Sequence, residues 1–503
     1  MKRKISVFLL AVLLCLGISS SAQDFNAADA DGGGSNNDSP VDSTNKFKMG
    51  FQLGSVTIGG ENYQQLGFRG EIPIGKLGLG LDLYLFMDAQ GKIRKEDWDE
   101  ASDYLDKLYY IRWANKGAPF YFKFGGMDYT YLGYSNIVNG YGNMIEYPTV
   151  RRWGLDLSAE TENFGIEMLV NDFKEMFTDR PSVLAGGRVF YKVGGKLQIG
   201  VSGMQDFNQY NSLKDLDRDG YPDEIDEFDS NKDWVTKIDE LTARGATPAT
   251  IQNLVDIGEL NSVTKDKLPK YGDSIAAQLV WGLDMGYPII NKENFKTDVY
   301  VAYSKINNYG WGASLPGFRM MIGKFFQFQA EYRIQSEEFL FGYFNPTYEL
   351  ERAVFATNPV TQEKYAITKA QSLKQIDKKM QGYFASATLN IGPVLKVTMA
   401  YQDLKNDESE NARSIRGELG LAENLIPKLS VCKGYYIQNN VQDFQQWKTP
   451  QTIAGFQLGF ELTENTVMGL DYRWTFEDVD GNGVINGNAE TIKTIGIRTS
   501  FTF

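Results

Sequence analysis

The chain has 503 residues, with 51 Lys+Arg against 64 Asp+Glu and a net charge of −13 at neutral pH. An acidic balance excludes the basic footprint that nucleic-acid binding needs, and the absence of any histidine removes the usual base of nucleophile triads and the commonest metal ligand. Past the amino terminus, no segment carries the run of about 18 apolar residues that a membrane-crossing helix requires, although aromatic residues make up 13% of the chain and mean hydropathy is −0.34.

Lys2, Arg3 and Lys4 precede an apolar run from Ile5 to Ile18, and Ser20-Ser21-Ala22 supplies small residues before Gln23. This is the pattern of a signal peptide over residues 1–22, too short to span a bilayer. Leu13 and Leu14 are too bulky to make Cys15 a lipid-attachment site. Cleavage would remove three cations and no acid, taking the net charge to −16, and would leave Cys432 without a disulfide partner. Residues 23–45, including Gly32-Gly33-Gly34-Ser35-Asn36-Asn37, are polar and predict a disordered leader.

From 46 to 503 the chain alternates with period two in segments of ~10 residues, the length a tilted strand needs to cross a bilayer. Twenty such strands are predicted, from 47–58 to 492–503, among them 273–287, 313–322, 428–438 and 466–476. Tight links such as Gly75-Lys76, Gly194-Gly195 and Gly392-Pro393 alternate with long ones at 89–106, 127–150, 172–183, 207–272, 337–380, 439–451 and 477–491. A sandwich or propeller gives no reason for that parity, whereas a barrel with short turns at one end and loops at the other does.

Each strand has one oily and one polar face. On 466–476, Met468, Leu470, Tyr472, Trp474 and Phe476 oppose Gly469, Asp471, Arg473 and Thr475. An unpaired charge in a dry core costs several kcal/mol, so the polar face is expected to line a wet or plugged lumen. The lining set is Arg69, Glu71, Arg112, Lys123, Arg152, Asp156, Gln278, Gln327, Gln329, Glu331, Arg333, Arg416, Glu418, Asp471, Arg473 and Arg498. Any one Arg/Glu pair among them also reads as a cross-link of the wall. Lys433 falls on the oily face, so either it snorkels or the register there is off by one.

Three loops carry further expectations. Residues 127–150 are rich in Tyr, Gly and Asn, and Tyr129, Tyr131, Tyr134, Asn136, Asn139, Tyr141 and Asn143 would form a constriction if the loop folds inward rather than packing outside. In 207–272, which holds 14 Asp/Glu against 8 Lys/Arg, apolar spacing over 234–262 predicts a short helical pair acting as a cap. The same loop contains Asp215, Asp217, Asp219, Gly220, Tyr221, Asp223 and Asp226. Oxygen ligands at loop positions one, three, five, seven, nine and twelve with glycine at six match the spacing of an EF-hand calcium loop. With Asp at position twelve and Asp229, Asn231 and Asp233 following, the stretch resembles thrombospondin type 3 repeats, which implies calcium as the ligand. The alternative is a solvated acidic loop. A second candidate, Asp478, Asp480, Asn482 and Asn486, resembles the same pattern, but Ala489 holds position twelve and Glu490 comes one residue late, so it reads equally as a glycine-rich hairpin.

In the last segment, Ile495, Ile497, Thr499, Phe501 and Phe503 share one face. An aromatic-ended terminal strand in a chain with a secretory signal resembles the closing strand of Gram-negative outer-membrane β-barrels, where it signals insertion to the barrel-insertion machinery. The resemblance implies an all-β, transmembrane, antiparallel up-and-down barrel of about 16 to 20 strands. It would sit in the outer-membrane lipid of a diderm bacterium with both termini periplasmic. Enzymes among such barrels use a histidine, so no enzymatic activity is expected. The reading is a porin-like channel for passive diffusion of small hydrophilic solutes, with a mild cation preference from the acidic loop. Two alternatives stay open: a barrel-anchored adhesin or receptor with calcium-stabilised loops, and a transporter of hydrophobic compounds.

Overall fold

The computed structural model describes residues 48–502 except 59–60, 99–106, 128, 146–149, 178–180, 216, 218, 229–230, 261–262, 293, 358–363, 393, 407–410, 422–424, 439–440, 442, 444, 450–451, 464–465, 477–484 and 486–489. Its strands in chain order are β1 (Lys48–Ile58), β2 (Glu61–Ile74), β3 (Leu77–Met87), β4 (Leu108–Trp113), β5 (Phe120–Gly125), β6 (Thr130–Tyr131), β7 (Asn139–Tyr141) and β8 (Gly154–Glu160). Next come β9 (Phe164–Val170), β10 (Leu184–Val193), β11 (Leu197–Asp206), β12 (Gln278–Lys292), β13 (Phe295–Ile306), β14 (Trp311–Ile322), β15 (Phe326–Gln335) and β16 (Ala353–Thr357). The last eight are β17 (Lys364–Thr368), β18 (Met380–Ile391), β19 (Leu395–Lys405), β20 (Asn411–Leu421), β21 (Leu429–Gln438), β22 (Thr452–Thr463), β23 (Thr466–Phe476) and β24 (Thr491–Thr502).

Twenty of these make one antiparallel sheet; β6–β7 and β16–β17 are separate two-stranded hairpins. Each strand of the large sheet pairs with the next along the chain, β5 with β8 and β15 with β18 across the hairpins. β24 also pairs with β1, Gly50–Leu53 opposite Thr499–Thr502, which gives every strand of the barrel an antiparallel neighbour on both sides. Among the described residues no helix is long and apolar enough to cross a membrane.

The faces are inverted relative to a water-soluble fold. On β10, Val189, Tyr191 and Val193 are exposed while Arg188 and Lys192 are buried; on β12, Leu279, Leu283, Met285, Tyr287 and Ile289 are exposed while Gln278 and Asp284 are buried. Period-two alternation puts all outward residues on one surface, which only an apolar solvent satisfies. Turns between strands are tight at one end; at Gly194-Gly195, φ values of 60° and 69° supply the two left-handed central positions of the turn that the Lys196 N–H closes on the Val193 carbonyl (3.3 Å).

Several expectations are corrected. β12 does not stop at Tyr287: it continues to Lys292 through Pro288, because a register shift between Pro288 and Ile290 places the residue lacking an N–H at a bulge. Lys433 is on the inner face, opposite Gly420 and Gln457, with its ammonium 2.9 Å from Glu418; the register read from sequence was one residue off. Of the two expected interiors, wet or plugged, the described residues show a partly plugged one. At the long-loop ends of β9–β13, Leu169, Leu184, Met204, Val280 and Ile306 form an apolar patch. The loops 126–153 and 336–379 fold over it, contributing Leu132, Ile137, Val138, Tyr141, Phe339, Tyr343, Phe344, Tyr348 and Leu373 to one buried core. The helical pair in the longest loop is present as Lys237–Ala243 and Pro248–Asp256, each with a threonine capping its first turn.

Candidate functional site: an inward plug and an ion-paired wall

Asn143 fixes the base of the first loop. It accepts from the Met127 N–H (2.7 Å) and donates to the Gly125 and Asn171 carbonyls. The short β6–β7 ladder then holds the arms together, and the tip drops to mid-wall. There the Tyr134 ring stacks on Tyr300 of β13 at 3.9 Å and 10°, with the Arg319 guanidinium 4.4 Å from its centroid. The Gly133 N–H donates to Glu167 (2.9 Å), and Ser314 donates to Asn136 (3.2 Å). Gly286 is what admits the tip, because a Cβ there would occupy the position of the Tyr134 hydroxyl. Burial pushes the Tyr134 hydroxyl well above the ordinary phenol range, the nearby Arg319 only partly offsetting it.

The wall around the tip is a lattice of matched charges. Arg188 grips Asp284 with two nitrogens at 2.8 and 2.5 Å and reaches Glu167 at 3.4 Å; Arg319 pairs with Asp298 at 3.1 Å and Arg333 with Glu331 at 2.6 Å. Arg333 also lies over the Phe384 ring at 3.7 Å. Lys192 bonds Glu160, and Arg112 pairs with Glu71 at 2.5 Å. Between the tip and the short-turn end, a cavity of about 310 Å³ is lined by Tyr134, Glu167, Arg188, Phe190, Lys192, Asp298 and Arg319 among others.

The second loop is anchored by Arg352. Its guanidinium makes a two-pronged bond to Asp206 at 2.8 Å on each prong, donates to Glu349 (3.2 Å) and reaches the Ser182 carbonyl (2.9 Å). Tyr141 of the first loop and Asn171 of the wall donate to the same Glu349, and Arg152 lies 3.6 Å from it. Burial alone would raise the Glu349 carboxyl, yet the adjacent Arg352 and Arg152 hold it below the usual range. Backbone bonds between Phe344 and residues 137 and 139 tie the two loops together.

The structure separates the residues singled out from sequence. Gln278, Gln327, Gln329, Glu331, Arg333, Arg416 and Glu418 lie on the inner face, as do Lys123 and Asp156, which stand opposite one another; Gln335, Gln402 and Gln457 share that face with them. Arg69 is opposite Asp82, Asp471 opposite Gln457, Arg473 opposite Gly455 and Arg498 opposite Gly469, all in inner-face register. Arg152 lies outside any strand and joins the plug network instead. Of the loop set, Tyr134 and Asn136 meet the wall; Tyr141 and Asn143 are fully buried as anchors, and Tyr129, Tyr131 and Asn139 are half-buried. Arg188, Asp284, Asp298, Arg319 and Tyr300 were missed, although their alternation with exposed apolar neighbours marks them as inner-face residues. Asp206, at the end of β11, carries the same signal, whereas Arg352 and Glu349, which lie in a loop, had none.

The inward loops cover one side of the lumen more fully than the other. Inner residues of β12–β15, such as Asp284, Ser304, Ser314, Glu331 and Arg333, are buried under the loops. Their counterparts Ala400, Gln402, Ser414, Arg416, Lys433 and Tyr435 on β19–β21 are half-buried.

In the longest loop, Asp215, Asp217 and Asp219 bring their carboxylates within 4.8 Å of one another. Asp215 accepts from the Asp219 and Gly220 N–H groups, wrapping the chain around this point. Gly220 has φ +97°, which a side chain would strain. Burial pushes the Asp226 carboxyl up to about 6, and Asp219, Asp217 and Asp223 add to the rise. Asp478, Asp480, Asn482 and Asn486 lie outside the described residues.

No protein-family model and no curated protein matches the chain. Solved structures similar to it include OccK11 (OpdR) of Pseudomonas aeruginosa, at 10% identity over 91% of this chain and 95% of that one, TM-score 0.32. An anion-selective porin from Comamonas acidovorans aligns at 9% identity over 91% and 99%, TM-score 0.27. The siderophore receptor PirA from Acinetobacter baumannii aligns at 7% identity over 92% and 81%, TM-score 0.36. Likenesses this distant leave the function to be argued from the site.

Proposed function

We propose that the chain is an outer-membrane channel through which small hydrophilic solutes diffuse passively. The observation that carries this is the inverted wall: exposed aliphatic and aromatic side chains outside, and Arg, Lys, Asp, Glu and Gln inside, around twenty strands. The outer surface suits lipid and the inner surface suits water and polar solutes. Because the inner cations of β10, β14 and β15 are each paired with carboxylates, the wall presents a small net field there. That favours neutral polar solutes, with the acidic external loop mildly enriching cations at the mouth. The inner apolar patch, which a transporter of hydrophobic compounds would use, is already covered by the protein's own loops.

Planar-bilayer recording of the purified protein tests the reading. Discrete conductance steps with a reversal potential slightly favouring cations are expected. A folded, inserted protein that never conducts would favour the second reading, a barrel that anchors a receptor or adhesive face. The buried plug of loops 126–153 and 336–379 is the observation on that side.

A further inference from the structure

The strongest unexplained chemistry lies in the cap, residues 207–277, outside the barrel. Asp217 is 8% exposed and Asp226 9% exposed, so both are about nine-tenths buried. One Asp217 oxygen accepts from the Asp219 N–H (3.1 Å), but its Oδ2 has no hydrogen-bond partner, and neither has Oδ2 of Asp226. Buried carboxylate oxygens are normally satisfied, and leaving one bare costs its desolvation. The Asp217 carboxylate is also held within 4.8 Å of those of Asp215 and Asp219, where like charges repel. The Lys265 ammonium stands 3.8 Å from Asp219.

The clamp around this turn leads to the plug. The Gly272 N–H donates to the Gly220 carbonyl (2.9 Å), and Lys364 of β17 donates to the Glu224 carbonyl (3.2 Å). Tyr271 accepts from the Ala366 N–H of β17 (2.7 Å) and packs its ring on Phe355 of β16. The β16–β17 hairpin begins one residue after Arg352, the anchor of the second inward loop.

We propose that Asp215, Asp217, Asp219, Asp223 and Asp226 bind one calcium ion, and that the bound ion fixes the cap on the β16–β17 hairpin and so holds the inward loops in place. A hard divalent cation supplies the missing partner of the bare oxygens and cancels the repulsion of the cluster. A site this rich in carboxylates suits calcium, which takes six to eight oxygens, better than magnesium with its tight octahedron. The effect on the pore rests on the channel reading; the binding does not.

Isothermal titration of the full chain in detergent with calcium chloride or magnesium chloride tests the site. It compares wild type, Asp217→Asn/Asp219→Asn and Asp478→Asn/Asp480→Asn. Asparagine keeps the Oδ1 acceptors of the turn, and an unchanged heat-shifted gel mobility confirms that each barrel is folded. We expect one calcium bound more tightly than about 10⁻³ M, at least tenfold weaker in the first variant and unchanged in the second, with magnesium at least tenfold weaker. A flat wild-type titration, or equal binding by the first variant, overturns the site. Hydrogen exchange over 353–357 and 364–368 should slow at least tenfold with calcium; binding without that slowing overturns the coupling. Calcium-dependent protection in a protein that conducts under no condition would sink the channel reading and leave the site standing.

Discussion

Arg352 serves two buried carboxylates, Asp206 on the wall and Glu349 in the plug, and is itself fully buried. Such a group adds little net stability when complete, but removing one partner strands the others. Arg352→Met keeps the length of the side chain and removes its charge. It should loosen the second loop by about 3–5 kcal/mol, read as faster hydrogen exchange over 336–357 with the barrel strands unaffected. Protection equal to wild type would mean that the plug is held by its apolar contacts alone. The same residue shows where sequence reading stops. Asp206 is 146 positions away along the chain, and no periodicity in 336–379 marks Arg352 as an anchor. Tyr134 and Asn136, by contrast, stand in a loop whose composition already set it apart.

At the level of elements, the inward loop depends on a gap in the wall. Gly286 leaves room for Tyr134, and the stack on Tyr300 follows from it. Gly286→Val should push the tip off the wall without disturbing β12, since valine suits a strand. Single-channel conductance should rise, whereas an unchanged step would place the tip away from the path of ions. The twenty long strands were legible because lipid outside and polar contacts inside enforce alternation over many residues. β12 beyond Pro288 was not, because proline normally ends a ladder and here sits at a bulge. The β6–β7 and β16–β17 hairpins escaped for another reason: they are two to five residues long and bury against loops, so no face pattern develops.

The whole molecule is held as a ring by a short seam. β24 meets β23 along eleven residue pairs but meets β1 along four, all within Thr499–Thr502. Truncation after Ile497 removes those four pairs and leaves two sheet edges unpaired, a costly condition in lipid. It should yield no heat-modifiable folded species; a folded truncation would show that the seam is dispensable. The terminal alternation that pointed to a barrel is thus the same stretch that joins its ends.

Both inward loops rest on the wall of β9–β15, while several inner residues of β19–β21, among them Gln402, Arg416 and Tyr435, stay half-buried. On the channel reading, the opening left is a crescent and not a disc. Its narrow dimension, set by how far the loops project, would decide which solutes pass, while its length could carry many ions side by side. Strand number and sieve size would then be independent quantities, and a barrel of twenty strands could reject molecules that a smaller, unobstructed ring admits.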